Sequence, residues 1–473
     1  MNKKRLLFAS SEVYPFVKTG GLADVAHSLP KALNEMYDVS VVLPLYSQID
    51  RSRFSLTLLN TFEIMMGGVS YTIELHGTSY EGVEYRFIYA PILCDRDYLY
   101  GPPESGYEDN GIRFGLFSHA ITHLLRTDSY AIIHLNDWQC ALSALFVKED
   151  PSIKTKIVYT IHNLAYQGVF SPSVMGQIGL NEHYFTMDAL EFYDQVNFMK
   201  AGIAYADAVT TVSPTYAKEI LTADFGCGLE GFLHLHRRKL HGIVNGIDSD
   251  HFSPSTDKAL VAPYETLKGK KASKNDLLKQ FGLKGATKPL LVFIGRFTHQ
   301  KGMDILIETL PKIAELECNI ALLGEGEEVH FESLEKIAKE YGNVSLQFGY
   351  DESIAHRMYA AADFLLMPSL FEPCGLNQMI AFAYGAVPVV NKVGGLADTV
   401  KKFESYDAES PSGFGIVFTS ATPKAFFTAV KKGCDLYADK KHFESIVNHN
   451  MKCNYSWSES AKAYDSIYKK LIK

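Results

Sequence analysis

Seven residues near each end of the chain spell nearly the same loop: Lys18-Thr19-Gly20-Gly21-Leu22-Ala23-Asp24 and Lys392-Val393-Gly394-Gly395-Leu396-Ala397-Asp398, identical at six of seven positions. Each follows a β-like run, Leu6 to Ser10 or Val387 to Asn391, and each leads into a helix-like stretch. A Gly-rich strand-to-helix turn of this kind suits open parallel α/β sheets. There its N–H groups point beyond the carboxyl ends of the strands and form a candidate anion cradle. A tight turn alone also asks for Gly-Gly, but Lys in front and Asp behind in both copies favours two cradles, and with them a ligand held between two halves.

The rest of the chain fits two such halves. Apolar runs at Leu6 to Ser10, Val39 to Pro44, Tyr85 to Pro91, Ala131 to Asn136, Lys156 to Ile161 and Ala208 to Ser213 alternate with helix-like stretches such as Gly111 to Arg126. A second series follows at Leu290 to Arg296, Asn319 to Leu323, Val344 to Gly349, Phe364 to Pro368, Val387 to Asn391 and Gly415 to Phe418. Strands this apolar predict parallel sheets covered on both faces, so the expected class is α/β, two doubly wound Rossmann-like domains. At 473 residues the chain exceeds what one core usually supports. The expected domains are 1–243 and 244–457, with a final helix over 458–473 that could pack on either.

Composition excludes several classes. A net charge of −8 provides no global field for nucleic acid or an anionic membrane, so an anion site must be locally basic. The Lys3-Lys4-Arg5 cluster is followed by too short an apolar run for a signal peptide, and no run approaches a membrane span. Seven cysteines, scattered and without paired ligand spacing, favour a reducing cytoplasm and no zinc.

The sharper chemistry lies in the second half. Arg296 ends a strand and Lys301 opens the next helix, a planar fork and a mobile charge suited to a departing diphosphate. Leu323-Gly324-Glu325-Gly326 invites a dinucleotide reading, but Val329 stands where the third Gly belongs. In Phe371-Glu372-Pro373-Cys374-Gly375-Leu376, Glu372 could accept hydrogen bonds from ligand hydroxyls or serve as a plain helix cap. Cys374 could be reactive near a helix start, although packing or a ligand contact suits it better without a neighbouring His. In the first half, His134-Leu135-Asn136-Asp137-Trp138 and Thr160-Ile161-His162-Asn163-Leu164 place polar groups at strand ends, where core histidines and functional ones are equally at home.

Taken together with Val244-Asn245-Gly246-Ile247-Asp248 and the HNLAYQG run from His162 to Gly168, these motifs resemble the bacterial glycogen synthase and plant starch synthase family. Its members are retaining glycosyltransferases of the two-domain GT-B fold, and the likeness runs from the first strand to the last helix. The resemblance implies transfer of glucose from ADP-glucose to the non-reducing end of an α-1,4-glucan; no DxD-like carboxylate pair stands at a convincing strand end to bridge a diphosphate and a metal, so no metal or organic cofactor is expected, and the cysteines place the chain in the cytoplasm. It implies that Arg296 and Lys301 neutralise the diphosphate with the Gly394-Gly395 backbone, Leu396 and Thr399 beside them. Lys18, Gly21 and Asp24 would contact the donor, His162 would sit by the anomeric centre, and Glu372, Cys374, Gly375 and Leu376 would line the glucose pocket. Asp137, Asn163 and Asn245 are matching polar contacts, and Tyr350 is the expected adenine-stacking residue.

Two departures from relatives qualify the likeness. Leu370 precedes the FEPCGL run where many carry Arg, and Asn391-Lys392-Val393 replaces a more basic run before GGLAD. Ile380, eight residues after Glu372, stands where the sucrose- and trehalose-related enzymes carry a second Glu, and so agrees with the glycogen synthase pattern. The competing readings are another GT-B transferase or an epimerase using a UDP-sugar, and a non-catalytic glucan-binding protein.

Overall fold

The computed structural model describes residues 3–102, 105–349 and 351–473. Its contacts divide the chain into two units: 1–212 with 217–243 and 457–473, and 213–216 with 244–456.

The first unit is built on a nine-stranded sheet among the described residues. Its parallel part runs Leu240–Gly242, Ala208–Thr211, Lys156–Ile161, Ile132–Asn136, Arg5–Ala9, Asp38–Pro44 and Val83–Tyr89. Ile132–Asn136 is wholly buried and Arg5–Ala9 buried after its first residue, as expected of strands with helices on both faces. Beyond Val83–Tyr89 the sheet turns antiparallel through Val69–Tyr80 and Thr57–Met66, a hairpin absent from the expected strands. Gly67 and Gly68, at φ +59° and +81°, make its two-residue turn. Leu58, Leu59 and Met65 are all exposed, so the apolar positions of Thr57–Met66 do not mark one buried face, and alternation could not reveal it.

The closing helix, Ser458–Leu471, packs on this first unit. Tyr37 donates its hydroxyl to Asp465 at 2.9 Å, and Lys4 donates to the Ile472 carbonyl at 2.9 Å. Tyr468 lies 2.6 Å from His134 Nδ1, and Thr160 lies 2.6 Å from its Nε2. Burial holds that imidazole at about 3, so His134 is a satisfied core residue.

Among the described residues, the second unit is built on a seven-stranded sheet in the order Val344–Phe348, Asn319–Gly324, Leu290–Ile294, Phe364–Met367, Val387–Asn391, Gly413–Phe418, Val400–Lys402, every pairing parallel. Chain order reverses between Leu290–Ile294 and Phe364–Met367, the crevice where open α/β sheets bind ligands. The glycines of the dinucleotide-like run are explained by packing. A Cβ on Gly324 would lie 2.0 Å from the Gly295 carbonyl oxygen, and one on Gly326 would lie 2.4 Å from that of Phe297. Residues 213–216 join this unit because Asp398 accepts from the Ser213 hydroxyl and, at 3.0 and 2.6 Å, from the Thr215 amide and hydroxyl.

Candidate functional site

In the second unit, loops leaving three adjacent strands meet at that crevice. The loop after Leu290–Ile294 carries Arg296 and Lys301, the loop after Phe364–Met367 carries Glu372 to Leu376, and the loop after Val387–Asn391 carries Gly394 and Gly395. Leu370 N–H donates to the Gln300 carbonyl at 2.9 Å, tying the first two loops. Gly302, in the left-handed region at φ +73°, lets the first loop press on the second; a Cβ there would lie 2.1 Å from the Pro368 carbonyl oxygen.

Lys301 Nζ donates to Glu372 Oε2 at 2.6 Å, and the Ser369 hydroxyl donates to the same oxygen at 3.0 Å. Glu372 is buried, so this pairing is what makes its charge tolerable. The helix-cap reading of Glu372 does not hold: the following helix is Asn377–Ala383, with Leu376 at its N-cap. Arg296 is exposed and reaches Gln300 at 3.4 Å. Cys374 is buried, and burial pushes its thiol up to about 12 despite the Asn245 amide donating toward it, which removes the reactive-thiol reading. Asn245 is itself buried, and its Oδ1 has no hydrogen-bond partner among the described residues.

Gly394 and Gly395 do a job that the anion-cradle expectation did not foresee. Gly394 sits at φ +43°, where a Cβ would lie 2.0 Å from the Glu372 carbonyl oxygen; one on Gly395 would lie 2.0 Å from that of Cys374. The Gly395 amide donates to the Glu372 and Pro373 carbonyls at 3.0 and 3.1 Å, so it is already used inside the protein. Leu396 is buried behind them, and Thr399 closes the turn by donating to the Gly395 carbonyl at 2.7 Å while accepting from Gln378 at 3.0 Å. Gly375, at φ +70°, turns the chain beneath.

A second group gathers in the first unit at the carboxyl ends of Arg5–Ala9, Ile132–Asn136 and Lys156–Ile161. Asp137 holds φ +54°, an unusual conformation for a non-glycine residue and one that marks functional turns. Its carboxylate accepts the His162 amide at 2.8 Å. Burial pushes Asp137 up to about 7, opposed by the amides of His162 and Asn163 and aided by the charge of Glu12. Asn163 also turns its own loop, its Oδ1 accepting the Ala165 amide at 3.0 Å.

Asn136 donates its amide to the Ala9 carbonyl at 2.8 Å, which turns its Oδ1 toward His162 Nε2, 2.8 Å away. Nε2 therefore carries the proton and Nδ1 is the acceptor. Burial lowers His162 to about 3, so the ring is neutral at physiological pH.

Glu12 is the residue that motif reading missed. It is buried, its Oε2 accepts both the amide and the hydroxyl of Thr19, and burial pushes it up to about 7 against those bonds, with the charge of Asp24 adding to the rise. The available signal was a lone carboxylate three residues beyond the end of an apolar strand. Lys18 donates to Asp24 Oδ1 at 2.8 Å, both half-buried, and Gly21 is exposed at the start of the helix Gly21–Leu33. Tyr350 lies outside the described residues.

Two Rossmann-like sheets, one with cationic side chains at its switch point and the other with paired carboxylates at its strand ends, define a GT-B glycosyltransferase architecture. Residues 5–235 match the family model for a starch synthase catalytic domain, and residues 274–442 match glycosyl transferases group 1. The chain is 40% identical over 479 residues to a glycogen synthase of Geotalea uraniireducens, covering 98% of each. It is 42% identical over 473 residues to one of Aquifex aeolicus, covering 99% of each. Among solved structures, the catalytic domain of starch synthase IV from Arabidopsis thaliana, bound to ADP and acarbose, superposes with a TM-score of 0.92 at 34% identity, covering all of both chains. The chain belongs to the glycogen and starch synthase family.

Proposed function

We propose that this protein transfers glucose from ADP-glucose to the non-reducing end of an α-1,4-glucan with retention at the anomeric carbon, releasing ADP. The observation that carries the reading is the Lys301–Glu372 pair, 2.6 Å across, at the switch point of the second sheet. Its cation is held ready on a carboxylate until a diphosphate competes for it, and Arg296 supplies a second charge from the same loop. Both bonds to Glu372 fall on Oε2, so Oε1 is the oxygen offered to a sugar hydroxyl. Lys18 and Asp24 are proposed donor contacts.

Retention is assigned to front-face attack, with a diphosphate oxygen taking the acceptor proton as the bond to the leaving group breaks. Glu372 is committed to a sugar hydroxyl through Oε1, and His162 is a neutral hydrogen-bonding group. Asp137 and Glu12, both near 7, are suited to orient hydroxyls without adding a full negative charge. Because side-chain cations neutralise the diphosphate, transfer is expected to persist in EDTA.

A cytoplasmic location is proposed from the seven unpaired cysteines. Among the described residues no helix is long and apolar enough to cross a membrane.

The test is nucleotide release from ADP-glucose and UDP-glucose, with and without glycogen. Glycogen-dependent ADP release supports the proposal. Release from UDP-glucose alone moves the donor assignment, and glycogen binding without release from either donor favours a non-catalytic glucan-binding protein.

A further inference from the structure

Away from the Lys301 loop, the second unit brings together three side chains that motif reading did not connect: His251, Glu352 and His356. One ligand atom of each lies within 4.8 Å of those of the other two. Glu352 and His356 stand four residues apart on the helix Glu352–Ala361, hence on one face. His251 is presented by an Asx turn, in which Asp248 Oδ1 accepts the amides of Asp250 and His251 at 2.9 and 3.2 Å.

His356 carries the argument. Its side chain is only 6% exposed, and its Nδ1 lies 2.7 Å from Asp257 Oδ2, which also accepts the Tyr384 hydroxyl at 2.6 Å. A carboxylate at Nδ1 fixes the proton there and leaves a lone pair on Nε2, and among the described residues Nε2 has no partner. Burying a ring nitrogen without a partner is costly, so the position asks for a ligand. An imidazole backed by a carboxylate is also the usual support of a metal-binding histidine. Phe252 stacks on the same ring at 5.0 Å, holding its plane.

We infer that His251, Glu352 and His356 form a site for a divalent transition metal of the zinc type. Two imidazoles and one carboxylate match the preferences of Zn²⁺ and Co²⁺ over those of Mg²⁺ or Ca²⁺. Bonds of ~2.1 Å to a tetrahedral ion place ligand atoms about 3.4 Å apart, and His251 Nε2 and Glu352 Oε1 are 3.3 Å apart. His251 and Glu352 are half-exposed, so their side chains can close the remaining distance to His356. The sequence expectation of no metal rested on cysteine spacing and on the lack of a DxD-like carboxylate pair, neither of which tests a histidine site formed across a hundred residues of chain.

The experiment uses the full-length protein stripped with chelator, then dialysed against Zn²⁺ or Co²⁺, with metal content and the Co²⁺ absorption spectrum as readouts. Wild type is expected to retain one ion per chain with the intense visible bands of four-coordinate Co²⁺. His251→Ala and Glu352→Gln, both changes at half-exposed side chains, are expected to keep the wild-type circular dichroism while binding at least ~10-fold more weakly. Wild type that retains no stoichiometric metal would overturn the inference. So would a folded His251→Ala that retains the same content and spectrum.

Discussion

The two Lys-x-Gly-Gly-Leu-Ala-Asp loops share six letters of seven and do different work. In the first copy, eight residues separate the strand end at Ala9 from Lys18, and the intervening turn brings Glu12 under Thr19. Gly20 is extended at φ −161°, and a Cβ there would find only Glu12 Oε1, at 3.9 Å. Lys18 and Asp24 close on each other.

In the second copy Lys392 directly follows the strand. Its two glycines are pressed onto the Glu372 and Cys374 carbonyls, and Asp398 turns away from its own Lys to bind Ser213 and Thr215. The same motif is a loosely packed turn in one place and a close-packed backbone joint in the other. What decides is how far the turn stands from the strand and what backbone lies beneath it.

The comparison breaks most easily at the equivalent glycines. Gly394→Ala forces a Cβ into a carbonyl oxygen at a positive φ, with an expected loss on the order of 3 kcal/mol in urea unfolding of the second unit. Gly20→Ala is expected to stay within ~0.5 kcal/mol of wild type. Equal losses would mean that the two loops are built alike.

The aspartates provide a smaller contrast. Asp398→Asn weakens three hydrogen bonds to a charged acceptor, for an expected cost of about 2 kcal/mol by thermal unfolding. Asp24→Asn gives up one half-exposed ion pair, worth under ~1 kcal/mol. A larger cost at Asp24 would reverse which loop is loosely packed and which is the joint.

Cys374 sharpens the joint. With its thiol near 12 and buried, it should resist iodoacetamide in the native protein while exposed Cys227 is alkylated, as mass spectrometry of the labelled peptides would show. Rapid labelling of Cys374 would mean that the Gly395 contact opens readily.

The last contrast is one of shape. Glu12 is raised from 4.5 to about 7, so the folded state holds its proton more tightly than the unfolded chain. Its contribution to stability is complete below about pH 4.5, declines as pH rises to about 7, and is then constant. The Tm of wild type minus that of Glu12→Gln should therefore fall across that window and level off above it. A difference that rises with pH would contradict the buried-acid reading.

The central parallel strands of both sheets were legible because strands buried on two faces leave unbroken apolar runs, and Lys156–Ile161 and Val387–Asn391 fall on the expected residues; the edge strands Leu240–Gly242 and Val400–Lys402, mostly unburied, leave no such run. The Thr57–Met66 hairpin was not, since its apolar side chains face solvent as often as core. The place of Arg296 and Lys301 just after a strand end could be read from the sequence. The pairing of Lys301 with Glu372 could not, because their 71-residue separation closes only when three crossovers bring the loops together. Glu12 escaped for a related reason: nothing local says that a carboxylate after a strand will be enclosed, and enclosure is what moves its proton affinity.

The most direct test of glucosyl transfer at the Lys301 site is glycogen-dependent ADP release from ADP-glucose by wild type and Lys301→Ala, each checked for folding by circular dichroism. The expected result is ~10²–10³-fold lower kcat in the variant, the loss typical of removing one preorganised contact to developing charge. A folded Lys301→Ala with wild-type kcat and KM would contradict it.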